Sequence, residues 1–153
     1  MLGPMETRRP APGSVDRRTP RQVRGDAAES LAASHLQACG WRILAAQLRV
    51  GRDEIDLLAL EPGLPPTVVV VEVRSRSGRA FGAQEERLDA GKVRRLYRAL
   101  GALRAAGRLP DGTDLRGHAW RVDLLAIDLA PSAAESGVGA PSSIRHLRGL
   151  IPR

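Results

Sequence analysis

The sequence predicts an α/β layered fold in which helices pack on a mixed sheet. Two stretches of good helix formers, near residues 26–39 and 86–106, are separated by apolar runs of strand length. A Pro/Gly segment, Glu61-Pro62-Gly63-Leu64-Pro65-Pro66, joins two of those runs as a hairpin loop. The resulting order, αβββαβ, requires a sheet covered by helices.

The first helix spans about 26–39 and ends at Gly40, a C′ glycine. Ala28, Ala32, Ala33, Leu36 and Cys39 form its apolar arc, and Glu29 falls inside that arc. A first strand follows over 41–48, then a turn at Val50-Gly51-Arg52. Hairpin strands run near 54–60 and 67–74. A Gly/Ser/Arg loop over 75–83 contains Phe81-Gly82. The second helix carries Val93, Leu96, Tyr97, Leu100 and Leu103 at helical spacing and stops at Gly107 and Pro110. A polar loop leads to a fourth strand over 119–127. The Pro/Ser/Gly-rich residues 131–143 read as a flexible excursion, and 143–150 as a short edge strand. There is no internal repeat.

At 153 residues the chain is one domain with room for a hydrophobic core. Aromatic residues make up only 3%, so aliphatic side chains fill the core and the composition disfavours an aromatic platform for single strands. No apolar run approaches a membrane span, and the N-terminus lacks the apolar centre of a secretory signal. One cysteine, Cys39, excludes an intramolecular disulfide and fits a cytoplasmic location. Of the net charge of +7, residues 1–24 supply six arginines against Glu6 and Asp16. Residues 1–21 read as a basic disordered tail and 22–150 as the domain. Such a tail raises affinity for any polyanion without conferring sequence specificity.

Acidic residues interrupt both hairpin runs, in Asp53-Glu54-Ile55-Asp56-Leu57-Leu58 and in Val71-Glu72-Val73-Arg74. A buried carboxylate without a partner costs several kcal/mol, so it implies a metal, a cation or a shared proton. If Leu60 pairs with Val68, Asp56 faces Glu72 and Glu54 faces Arg74. Like charges so placed repel unless a divalent cation lies between them. Glu29, Asp56 and Glu72, with the backbone carbonyl of Val73 and with Arg74, therefore form the candidate site. Its oxygen donors suit Mg²⁺ or Mn²⁺, on which a water becomes acidic enough to attack a phosphodiester. Plainer readings stand beside this one: a Glu54–Arg74 ion pair, and Glu29 as an acid favoured near a helix N-terminus.

Lys92 is the only lysine among 24 basic residues and begins a helical basic run with Arg94, Arg95 and Arg98. With Arg76 and Arg79 of the preceding loop, Lys92, Arg94 and Arg95 are the candidate contacts to a nucleic-acid backbone; a solvated helix face is the alternative. His35, His118 and His146 lack the spacing of a zinc site. Asp123, inside an apolar strand, either supports the site or satisfies a buried arginine.

The chain resembles the YraN-like bacterial proteins, which have an endonuclease-like fold of the PD-(D/E)XK superfamily. The matching pieces are Gly25-x-x-Ala28-Glu29-x-x-Ala32, Gly40-Trp41, Glu54-Ile55-Asp56-Leu57-Leu58, Val71-Glu72-Val73-Arg74, Phe81-Gly82, Lys92 to Leu96, Arg121-Val122-Asp123 and Ile144-Arg145-His146. The resemblance implies a restriction-endonuclease-like three-layer core. It also implies a carboxylate triad at Glu29, Asp56 and Glu72, like that of archaeal Holliday-junction resolvases. Two positions depart from the pattern: Ala28 replaces a glycine, and Arg74 replaces the superfamily lysine. Arginine cannot lose a proton, so Arg74 cannot act as a general base. The leading expectation is a metal-dependent nuclease on structured or branched DNA, for which a homodimer would suit a two-fold junction. The alternatives are a non-catalytic nucleic-acid-binding module and a cytoplasmic protein-interaction domain.

Overall fold

The computed structural model describes residues 18–77, 88–129 and 141–153. Arg79, Phe81-Gly82, residues 1–17 of the tail and most of the 131–143 stretch lie outside these. Helix α1 (Pro20–Ala38) precedes strands β1 (Arg42–Val50), β2 (Asp53–Glu61) and β3 (Thr67–Ser77). Helix α2 (Ala90–Ala106) and strands β4 (Ala119–Leu129) and β5 (Pro141–Leu147) follow. The five strands lie in chain order, with every neighbouring pair antiparallel except the parallel pair β3–β4, which α2 connects. A parallel pair needs such a crossover, and this one carries α2 onto the sheet.

The protein has the three-layer, restriction-endonuclease-like α/β architecture. On one face Ala28, Ala32 and Leu36 of α1 pack against Leu57, Val69, Val71, Leu125 and Ile127. On the other, Leu96, Ala99, Leu100 and Leu103 of α2 pack against Ile55, Leu58, Val68, Val70 and Val122. Residues Val68 to Val71 are fully buried because each face of β3 is roofed by a helix. Among the described residues no helix is long and apolar enough to cross a membrane.

Helix α1 starts at Pro20, inside the expected tail, rather than near residue 26. Thr19 caps it, Pro20 takes the first helical position, and Gln22 closes a capping box. Of the expected apolar arc, Ala28, Ala32 and Leu36 are buried, Ala33 is half-buried and Cys39, at its end, is exposed. Helix α2 starts at Ala90 rather than near 86, because the Asp89 side chain accepts from the Lys92 N–H at 2.9 Å. It ends at Gly107, whose φ of 68° and closeness to the Arg116 side chain both disfavour a Cβ.

Asp123 is buried and satisfies the half-buried Arg121. It accepts two hydrogen bonds from Arg121, at 2.7 and 2.8 Å, and one from the Gly149 N–H at 2.9 Å. His146 Nε2 lies 2.8 Å away. Arg121 and Arg148 both reach Glu61, and both guanidinium groups lie over the Trp41 ring. This network ties the C-terminal segment to the ends of β2 and β4. Burial raises the Asp123 carboxyl pKa, but the bonds from Arg121, His146 and Gly149 outweigh it and hold the group at about 2.

Because that value lies below the unfolded one, the stabilisation is present above about pH 4 and lost as pH falls through 2. Acid titration followed by circular dichroism should show roughly 2 kcal/mol lost across this window. Asp123→Asn should lack that component and be less stable at neutral pH, by about 2 kcal/mol, since Arg121 loses one charged acceptor and keeps only Glu61. Parallel acid curves for the two proteins would contradict the assignment.

Candidate active site

The β2–β3 ladder has the register expected from the loop, from Glu61–Thr67 up to Leu57–Val71. There it stops. Ile55 is buried in the α2 cluster and Leu57 in the α1 cluster, although residues two apart on a regular strand share a face. The chain therefore switches faces at Asp56. Its Oδ2 accepts the Val73 N–H at 2.8 Å, so the side chain stands in for a ladder carbonyl. Asp56 and Glu72 are brought together by this contact rather than by ladder pairing. The expected Glu54–Arg74 opposition does not form, because β2 has left β3 before it reaches Glu54. Glu54 instead pairs with Arg49 of β1, with charged atoms 3.8 Å apart on an exposed surface.

Glu72 is buried, and its Oε2 has no hydrogen-bond partner among the described residues. Burial, then the charge and hydrogen bond of Asp56, push its carboxyl up to about 7 against the opposing pull of Lys92. Lys92 Nζ reaches across from α2 to lie 3.4 Å from Glu72 Oε1. Glu72 lines a cleft of about 570 Å³ with Val73, Arg74 and Ser75 on one side and Arg21, Arg24 and Gly25 of α1 on the other.

Glu29 faces a second cavity, of about 390 Å³, shared with Gln47 and Leu57. Its Oε2 accepts from Gln47 Nε2 at 3.0 Å. Partial burial and the charge of Asp56 raise its pKa, while the Gln47 hydrogen bond lowers it. Asp56 thus acts on both other acids. Among the described residues, however, no three His, Cys, Asp or Glu side chains are drawn close enough to hold a metal ion together. Each acid is held by its own donor: Glu29 by Gln47, Asp56 by Val73 and Glu72 by Lys92.

The basic residues separate into groups. Arg74 is exposed at the cleft, and Arg76 is half-buried farther along β3. On α2, Lys92 reaches Glu72, Arg94 donates to the Arg153 carbonyl at 3.3 Å, and Arg95 is exposed. Arg98 makes a two-pronged bond to Asp53 at 2.7 and 2.8 Å, pinning the start of β2 to α2. Sequence reasoning missed Arg21 and Arg24, which Thr19-Pro20-x-Gln22 would have placed on α1 had it been read as a helix start. It also missed Gln47, for which the sequence holds no signal.

A mixed sheet between helices, with acids gathered where two strands part, makes this a restriction-endonuclease-like protein in fold. The profile of the Uncharacterised protein family UPF0102 matches residues 28–127, and the chain belongs to that family. It is similar to the UPF0102 protein of Roseiflexus castenholzii, with 36% identity over 121 residues covering 78% of this chain and 91% of the relative. The UPF0102 protein of Mycobacterium ulcerans is 34% identical over 130 residues, covering 85% and 95%. That of Paracidovorax citrulli is 40% identical over 98 residues, covering 62% and 71%.

Glu72 makes stability depend on pH in the opposite sense to Asp123. Its folded pKa exceeds the unfolded value of 4.5, so the folded state holds the extra proton and loses stability as pH rises from 4.5 through 7. Glu72→Gln should therefore be more stable than wild type at pH 8, by on the order of 2 kcal/mol in chemical denaturation, with the difference closing below pH 5. Equal pH slopes would show that Glu72 is not held in this environment.

Proposed function

We propose that this protein is a metal-dependent nuclease that cuts structured or branched DNA. The observation that supports it is Glu72, a buried carboxylate with an unpartnered oxygen, placed beside Asp56 and facing the chain's only lysine. An acid so placed calls for a cation, and carboxylate oxygens suit a hard one such as Mg²⁺ or Mn²⁺. Asp56 and Glu72, with the Val73 carbonyl, are the residues that would hold it. When bound, such an ion supplies charge neutralisation at the attacked phosphate and a more acidic water.

The protein's own groups have distinct parts in this reading. Lys92 can hold or release a proton at Nζ, which Arg74 cannot, so it supplies from α2 the lysine that the strand lacks. Arg21, Arg24 and Arg74 line the mouth of the cleft, where they can bind and orient a phosphodiester. Glu29 approaches Asp56 from the α1 side. Arg76, Arg79, Arg94 and Arg95 are proposed contacts to flanking phosphates. A homodimer would present two such clefts to a four-way junction. Arg74 favours a second reading, a module that binds nucleic acid without turnover.

Cleavage of linear, flapped and four-way DNA with Mg²⁺ or Mn²⁺ tests the proposal. Asp56→Asn should abolish cutting while keeping or improving DNA binding, since a repulsive charge leaves the phosphate-binding face. Lys92→Arg should retain binding but slow cutting by about 10²–10⁴-fold, as expected for loss of a proton-transfer group. Arg74→Lys should maintain or raise the rate. A wild type that binds every form and cuts none would leave the binding module, and one that does neither would remove the nucleic-acid assignment.

A further inference from the structure

We propose that Gln47 is a positioning residue that fixes the Glu29 carboxylate beside Asp56, and that a bend in β1 holds it there. The proposal rests on the reading of Glu29 as part of the nuclease site. Its starting point is the backbone. Gln47 has a φ of 48° and is the only non-glycine residue at positive φ among the described residues. Glycine or asparagine adopts that conformation readily, whereas a glutamine is strained in it.

The bend lies at a particular place. Gln47 stands between Ala46, paired with Leu57, and Leu48, paired with Ile55. It is therefore the β1 residue beside Asp56, where β2 switches faces. From there Nε2 donates to Glu29 Oε2 at 3.0 Å, joining β1 to α1. Gln47 is exposed, and a hydrogen bond open to water does little for stability. The contact therefore does not offset the strained backbone as a purely structural device would. What it does accomplish is to restrict the rotation of a carboxylate that burial and Asp56 both disfavour. Backbone strain of this kind persists where the surroundings enforce it, and such places concentrate at functional sites.

Two substitutions separate side chain from backbone. Gln47→Gly removes the amide and relieves the strain; Gln47→Asn keeps an amide on a residue that tolerates positive φ but is one methylene shorter. Gln47→Gly should keep or raise the melting temperature while lowering the cleavage kcat roughly 10- to 100-fold, with little change in KM. Gln47→Asn should recover part of that loss. In a Glu29→Gln background, Gln47→Gly should cause no further loss, because Gln47 acts through Glu29. A lower melting temperature with kcat unchanged, or an equal loss in both backgrounds, would overturn the proposal.

A second readout needs no cleavage. The carbon-13 carboxyl resonance of Glu29 should move in Gln47→Gly and return towards its wild-type position in Gln47→Asn. If wild type cuts no DNA, the nuclease reading fails while this measurement still decides the positioning role. An unmoved Glu29 resonance would overturn it.

Discussion

One hydrogen bond, from the Val73 N–H to Asp56 Oδ2, underlies the arrangement of the site. Once a side chain takes that amide, the β2–β3 ladder cannot continue past Leu57–Val71. The strands part, β2 turns over so that Ile55 and Leu57 serve opposite cores, and acids from three elements come under one another's influence. A hydrogen bond to a charged acceptor contributes about 1.5–3 kcal/mol. That is comparable to the disadvantage of a buried acid held near pKa 7, so the two effects nearly balance. Two further links secure the geometry: Arg98 clamps Asp53, and Lys92 faces Glu72.

The sheet contains two buried acids with opposite fates. Asp123 is surrounded by donors and is more acidic than in water, whereas Glu72 has a single ammonium, 3.4 Å away, and a neighbouring carboxylate, and is far less acidic. Both sit in apolar strands, and burial penalises both. The difference lies in hydrogen bonding to the charged form. Asp123 spends its charge on architecture, fastening the C-terminal segment over Trp41. Glu72 retains unmet electrostatic demand, and that demand is what a ligand could answer.

Much of this was legible in the sequence, for identifiable reasons. The Pro/Gly loop fixed the β2–β3 register because a hairpin transmits its alignment residue by residue. That logic failed beyond Leu57, where Asp56 breaks the alternation and the supposed Glu54–Arg74 pair dissolves. Element order and the two helix faces followed from periodicity. The early start of α1 was written in Thr19, Pro20 and Gln22, yet its arginines looked like part of a charged tail. Lys92 stood out as the sole lysine, but its approach to Glu72 depends on how α2 crosses the sheet. No local pattern encodes that crossing. The left-handed turn at Gln47 was invisible for the same reason, since nothing about glutamine announces it.

The solitary lysine has a practical consequence for anyone working with the molecule. Apart from the chain's amino terminus, every amine-directed reagent meets a single side chain, because the remaining basic residues are arginines. Reductive methylation with labelled formaldehyde would thus install one side-chain isotopic reporter, and it would sit against Glu72. Its chemical shift would register whatever binds beside Glu72, against an arginine-rich surface that stays spectroscopically silent.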